Sequence, residues 1–173
     1  MRYRAVERFA RIVDAFNIGV GKAASWMYPL LMLIIVFNVV MRYAFSIGSI
    51  ELEELQWHLY AAAFLLGFGY TYAEDAHVRV DVVYDGLSER KKAWIDLLGV
   101  IFLLLPFAGF LFYYSVPYFL DSWAFRERSE VPSGLPARYV IKFILAAGLL
   151  MLFMQGLAVA ARKWLFLIGY RAR

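Results

Sequence analysis

The chain has 173 residues, of which 63% are hydrophobic, 18% aromatic and 18% charged, whereas a soluble domain carries about 45–50% apolar and about 25% charged residues. With a mean hydropathy of +0.62 the composition points to a membrane protein, and no nucleic-acid partner is expected despite a net charge of +4. Cysteine is absent, which excludes disulfides, thiolate metal sites and cysteine nucleophiles and leaves the redox compartment open.

Residues 4–20 come first. Val6, Phe9, Ala10, Val13, Phe16 and Val20 recur at helical spacing, and Arg4, Glu7, Arg8, Arg11 and Asp14 take the opposite face. The pattern predicts an amphipathic helix lying on the inner membrane leaflet, its arginines suited to an anionic surface. The alternative is a short helix packed on its own bundle. No cleavable signal peptide is expected, because the stretch before the first apolar run is long and mixes acids with arginines.

Four runs follow, each close to the roughly 20 residues that cross a hydrocarbon core: 23–41, 55–73, 94–116 and 139–161. The chain is thus expected to be a single all-α integral membrane domain over 1–173, with four transmembrane helices. Thirteen lysines and arginines precede the first run, separate the second from the third, or follow the fourth; the other side has five, four in the remaining two connections and Lys142 at the start of the fourth run. The positive-inside rule then places both termini in the cytoplasm. Tryptophans and tyrosines cluster near both expected interfaces, as amphipathic rings do. In the connections, Pro132, Gly134 and Pro136 set the start of the fourth run.

Polar groups inside the runs are few: Asn38 in the first, His58 in the second behind Glu51, Glu53 and Glu54, Asp96 in the third, and Lys142 and Gln155 in the fourth. Carboxylates in a first helical turn favour the helix dipole, and Ser49 stands where a cap belongs. Asn38 and Gln155 suit hydrogen bonds across helices. Arg42 ends the first run, and the short hairpin lets it reach Glu53 or Glu54. Pro106 interrupts the third run, where a kink is expected.

No hydrolase, kinase or metal-ligand constellation is present, so no catalytic, metal or substrate-binding residue is assigned. A haem between His58 and His77 is excluded within one molecule, since 19 helical residues separate them by roughly 28 Å. A self-sufficient conduction path is not expected either, because broken helices, central carboxylates and inverted repeats are missing. Small residues such as Ala61–Ala63, Gly67 and Gly69, and Ala146–Gly148, mark faces for close helix packing.

The stretch "NVVMRYAFSIGSIELEELQWHLYAAAFLLGFGYTYAEDAHVRVD" and the later "SGLPARYVIK" together resemble the small membrane subunit, the DctQ-like component, of tripartite ATP-independent periplasmic (TRAP) transporters. The pattern falls on Asn38, Arg42, Tyr43, Glu53, Glu54, Gly67, His77, Val78, Arg79, Val80 and Asp81. The resemblance covers about residues 25–160. It implies a non-catalytic scaffold in a bacterial inner membrane that braces a large DctM-like membrane subunit. A periplasmic binding protein then delivers an organic acid, and sodium is expected in the large subunit, with no cofactor in this one. Under that reading Arg42, Glu53 and Glu54 are a candidate hairpin clamp. Asn38, Tyr43, Gly67, Gly69, His77, Arg79 and Asp81 are candidates for a partner interface or structural joint. Arg126 and Arg128 are candidates for periplasmic docking. The competing reading is a self-contained small membrane protein, either a homo-oligomeric transporter or a redox anchor.

Overall fold

The computed structural model describes residues 2–75, 84 and 86–170. His77, Arg79 and Asp81 lie outside the described residues. Within them every regular element is helical: α1 (Arg2–Ser25), α2 (Met27–Phe45), α3 (Ile50–Ala73), α4 (Glu89–Gly99), a π-helical turn (Val100–Leu104), α5 (Leu105–Ala124) and α6 (Tyr139–Leu167).

Only Trp26 separates α1 from α2. Pro29 explains the interruption, because it has no N–H to offer the carbonyl of Ser25. At the far end α2 stops at Ser46, which adopts a left-handed conformation at φ 57° and lets the Ile47 N–H return to the Met41 carbonyl at 3.0 Å, a common way to satisfy the last turn. Ser49 then starts α3 by accepting the Leu52 N–H at 3.2 Å, with Glu51 and Glu53 in the first turn. The two-helix hairpin is therefore closed by local capping at both sides of a four-residue connection.

Pro106 acts differently from the expected kink. It cannot bond to the Phe102 carbonyl, and its ring crowds that oxygen. The helix answers by widening over Val100–Leu104, with the Leu105 N–H reaching back to the Val100 carbonyl. Pro117 does not end the third run at 116. It sits inside α5, which continues to Ala124. Likewise α6 runs past 161 to Leu167.

Helix α6 is the hub and packs against α1, α3, α4 and α5. Its buried residues include Ala146, Gly148, Leu149, Leu152, Gln155 and Ala158. A methyl group at Gly148 would stand 2.6 Å from the Leu65 carbonyl of α3, so that crossing depends on the missing side chain. Helix α2 is peripheral. Among the described residues it packs mainly on α3 and its own continuation α1, and the buried positions are Leu31 and Asn38.

Among the described residues three helical runs are long and apolar enough to cross a membrane: Tyr3–Phe45, Glu89–Ala124 and Tyr139–Leu167. Helix α3 has 24 residues, about 36 Å at the usual rise. Its glutamates, Gln56 and His58 hold its apolar character below that of the other three.

The apolar residues of α1 do not form the single face that the spacing predicts. They divide into two. Ala10, Val13, Asn17, Gly21 and Ala24 are buried along a stripe against α3 and α6. Phe9, Ile12 and Phe16 remain exposed on a neighbouring flank, while Arg4, Arg8, Arg11 and Lys22 are exposed elsewhere around the helix. Small side chains at the stripe allow close approach, and the bulkier rings are left outside.

Candidate functional site

The hairpin end holds the ion pairs of Arg42, Lys142 and Arg138. Arg42 at the end of α2 pairs with Glu53 on α3, both about half exposed. A pair so placed adds little stability but fixes an angle. Glu54 is turned away from Arg42. One oxygen accepts from the Ser129 hydroxyl and the other from the Leu135 N–H at 2.7 Å. Glu54 therefore ties the 125–138 connection to α3. On α6, Lys142 pairs with Glu127 and lies 3.8 Å from the Tyr118 ring centroid. The two adjacent glutamates thus serve two different joints, one to α2 and one to the long connection.

The Lys142 ammonium beside Glu127 holds its carboxyl below the ordinary 4.5. A carboxylate with a lowered folded value contributes stability above its unfolded value and loses it as pH falls through the folded one. The connection's attachment to α6 should therefore hold at neutral pH and weaken only below 4.5. Comparing thermal stability against pH with Glu127→Gln checks this: the variant should lose the acid-side slope, and an unchanged slope would assign it to another group.

Beneath Arg42 and Glu53 a cavity of about 370 Å³ opens between α2 and α3, lined by Asn38, Tyr43, Gln56 and Trp57 among others. Asn38 is 6% exposed. Its Oδ1 and the Nε2 of Gln56 are both buried without a hydrogen-bond partner. Unpaired buried polar groups are costly. Among the described residues this cavity holds both an open acceptor and an open donor, so it is one place where the chain is chemically incomplete. Trp57 and Tyr43 beside it are 76% and 81% exposed. Of the two glycines in α3, Gly69 is buried against Asn17, whereas nothing lies within 4 Å of where a Gly67 side chain would stand.

At the other end, α1 is locked to α6 by a directed chain of hydrogen bonds. Asn17 donates to the Gln155 carbonyl oxygen at 2.8 Å and to the Val13 carbonyl. Gln155 donates to Asp14 at 2.7 Å, and Arg162 pairs with the other oxygen of Asp14. Asn17 and Gln155 are wholly buried. Asp96 is also held, by Lys163 at 2.6 Å and the Tyr84 hydroxyl at 2.8 Å. Arg126 stacks over Trp123 at 5.6 Å, and Arg128 is exposed on the same connection.

The family of the tripartite ATP-independent periplasmic transporters, DctQ component, matches residues 31–166. This chain belongs to that family. No curated protein and no solved structure matches it. The match makes the chain a TRAP transporter component and a multi-pass membrane protein. DctQ components work with a DctM large subunit and a periplasmic binding protein. In this DctQ component the matched region begins inside α2 and ends inside α6, leaving all of α1 outside it. The sequence pattern singled out Asn38, Arg42, Glu53 and Glu54, which gather at the hairpin end. It passed over Asn17, Gln56 and Ser129. Asn17 was detectable in principle, since it falls on the helical series 10, 13, 17, 21 and 24 among small residues.

Proposed function

We propose that this chain is the non-catalytic scaffold subunit of a sodium-driven secondary transporter that imports organic acids. It would lie in the bacterial inner membrane with α3 as a fourth crossing, both termini in the cytoplasm, and α1 at the inner interface. The excess of basic residues at that end and the exposed Phe9, Ile12 and Phe16 beside exposed arginines support the placement. The large DctM-like subunit would carry the substrate and sodium sites, with no cofactor here, and the connection holding Arg126 and Arg128 would face the binding protein.

One observation carries the reading. Helix α2 is covered along a single seam, and Asn38 and Gln56 wait unpaired in the cavity beside it. A bilayer cannot satisfy those groups, whereas a neighbouring polypeptide can. The α2–α3 face is thus the docking side for the large subunit, and Arg42–Glu53 sets its angle. In proteoliposomes with the binding protein, an organic acid and a sodium gradient, the large and small subunits together should give uptake. This chain alone should give none; uptake by it alone would establish a self-contained transporter. Reporter fusions should place both ends inside, and an outside C-terminus would overturn the orientation.

A further inference from the structure

A second groove lies between α3, α5 and α6 and shares Glu53 and Trp57 with the cavity beside α2. Its upper part is a cavity of about 600 Å³ whose rim holds Glu53, Glu54, His58, Glu127, Arg138 and Lys142. Its lower part is an almost wholly apolar trough of about 630 Å³ lined by residues such as Phe68, Leu104, Leu111, Leu149 and Leu152. Leu65, Tyr118 and Leu145 line both parts, so the two are continuous.

Three features define what fits. First, length: Glu54 to Phe68 along α3 is about 21 Å of helix, and half of a bilayer with its headgroups is also about 20–22 Å. A partner helix would need a track through both leaflets, and this one stops after one. Second, polarity: charges of both signs sit at one end and hydrocarbon at the other. Third, the open valences. His58 Nδ1 lies 2.7 Å from the Glu54 carbonyl, which only accepts, so the neutral ring presents Nε2 as an acceptor. That Nε2 is buried and has no partner. Arg138 reaches Glu130 at 4.0 Å and its charge also acts on Glu54 and Glu127, while its remaining guanidinium N–H groups can take an anion.

We propose that this groove is the seat of a single phospholipid whose headgroup bears an N–H donor, an ethanolamine phospholipid. The phosphate is held at Arg138, the ammonium donates to His58 Nε2 beside Glu53, and an acyl chain fills the trough past Leu65 and Leu145. A choline headgroup has no N–H and leaves His58 unsatisfied. Only the assignment to the outer leaflet rests on the orientation proposed above; the groove itself does not.

The test uses the complex of small and large subunits extracted in mild detergent, with bound lipid counted by native mass spectrometry. Ethanolamine, choline and glycerol phospholipids are added back separately after lipid stripping. One ethanolamine phospholipid per small subunit should be retained over choline. Ala61→Trp, which fills the groove, should lower that occupancy about tenfold, and Arg138→Ala should weaken all three lipids by a similar factor, as loss of a charge-assisted bond does. His58→Phe should erase the preference for ethanolamine over choline. A photoactivatable ethanolamine phospholipid should label peptides of α3 and α6 in the unaltered complex, a readout independent of any variant. Equal retention of the three lipids, or labelling confined to other surfaces, would overturn the proposal. So would crosslinks from position 61 that reach only the large subunit. Recovery of the large subunit is scored in the same samples, so failed lipid binding with intact assembly refutes the lipid seat alone.

Discussion

Gln155→Leu should destabilise the chain more than any other single polar substitution in α6. The Gln155 side chain is completely buried and serves both Asn17 and Asp14 on α1. Removing it costs Asn17 and Asp14 one buried hydrogen bond each and leaves them only Val13 and Arg162, at about 1–3 kcal/mol for each bond lost. The Arg162–Asp14 pair remains but loses its inner support. Removing both members of the central bond is gentler than removing one, because no buried group is then left calling for the other. The Asn17→Leu, Gln155→Leu double variant should therefore unfold at a higher temperature than the two single losses predict when added, with a coupling of about 0.5–3 kcal/mol. Strict additivity would mean that α1 is held by its apolar stripe alone.

Gly148→Val should separate α3 from α6. A methyl group at 148 already falls 2.6 Å from the Leu65 carbonyl, and that oxygen belongs to backbone that cannot rotate away. Overpacking of this kind costs about 1–3 kcal/mol. Here it acts at the crossing of the hub helix, so a lowered melting temperature and loss of a monodisperse peak are expected. Gly67→Ala provides the contrast. Nothing lies within 4 Å of that position, so the isolated chain should keep its stability, since alanine suits a helix interior better than glycine by about 1 kcal/mol. If both substitutions were equally harmful, tight packing at Gly148 would not be the cause.

These two sites show what was readable from the sequence and what was not. The apolar runs located α2, α5 and α6, because a membrane-length helix announces itself by composition, and they located α3 as a helix although its polar first turns keep it less apolar. The Ser49 cap and the reach of Arg42 to Glu53 were local consequences of a short hairpin. The docking of α1 was hidden. Its buried series through Ala10, Val13 and Asn17 is interleaved with the exposed series through Phe9, Ile12 and Phe16, and both have helical spacing. Which one faces inward is decided by Gln155, 138 residues away. Glu54 was legible as an acid near Arg42, but its actual partners, Ser129 and the Leu135 N–H, lie on an irregular connection with no periodicity to read. Pro106 was legible as a perturbation; the choice between a kink and a widened turn depended on whether the Leu105 N–H found the Val100 carbonyl.

The central claim is that this DctQ component completes itself against a large membrane subunit at the α2–α3 face. Co-purification tests it most directly. The tagged chain is expressed with the candidate large subunit, with a photocrosslinking residue placed in turn at Val39 beside the Asn38 cavity and at Trp94 on α4. The large subunit should be recovered with the tag and should be crosslinked from position 39 and not from position 94. Recovery of the chain without any large subunit, or crosslinks from position 94 alone, would contradict the account.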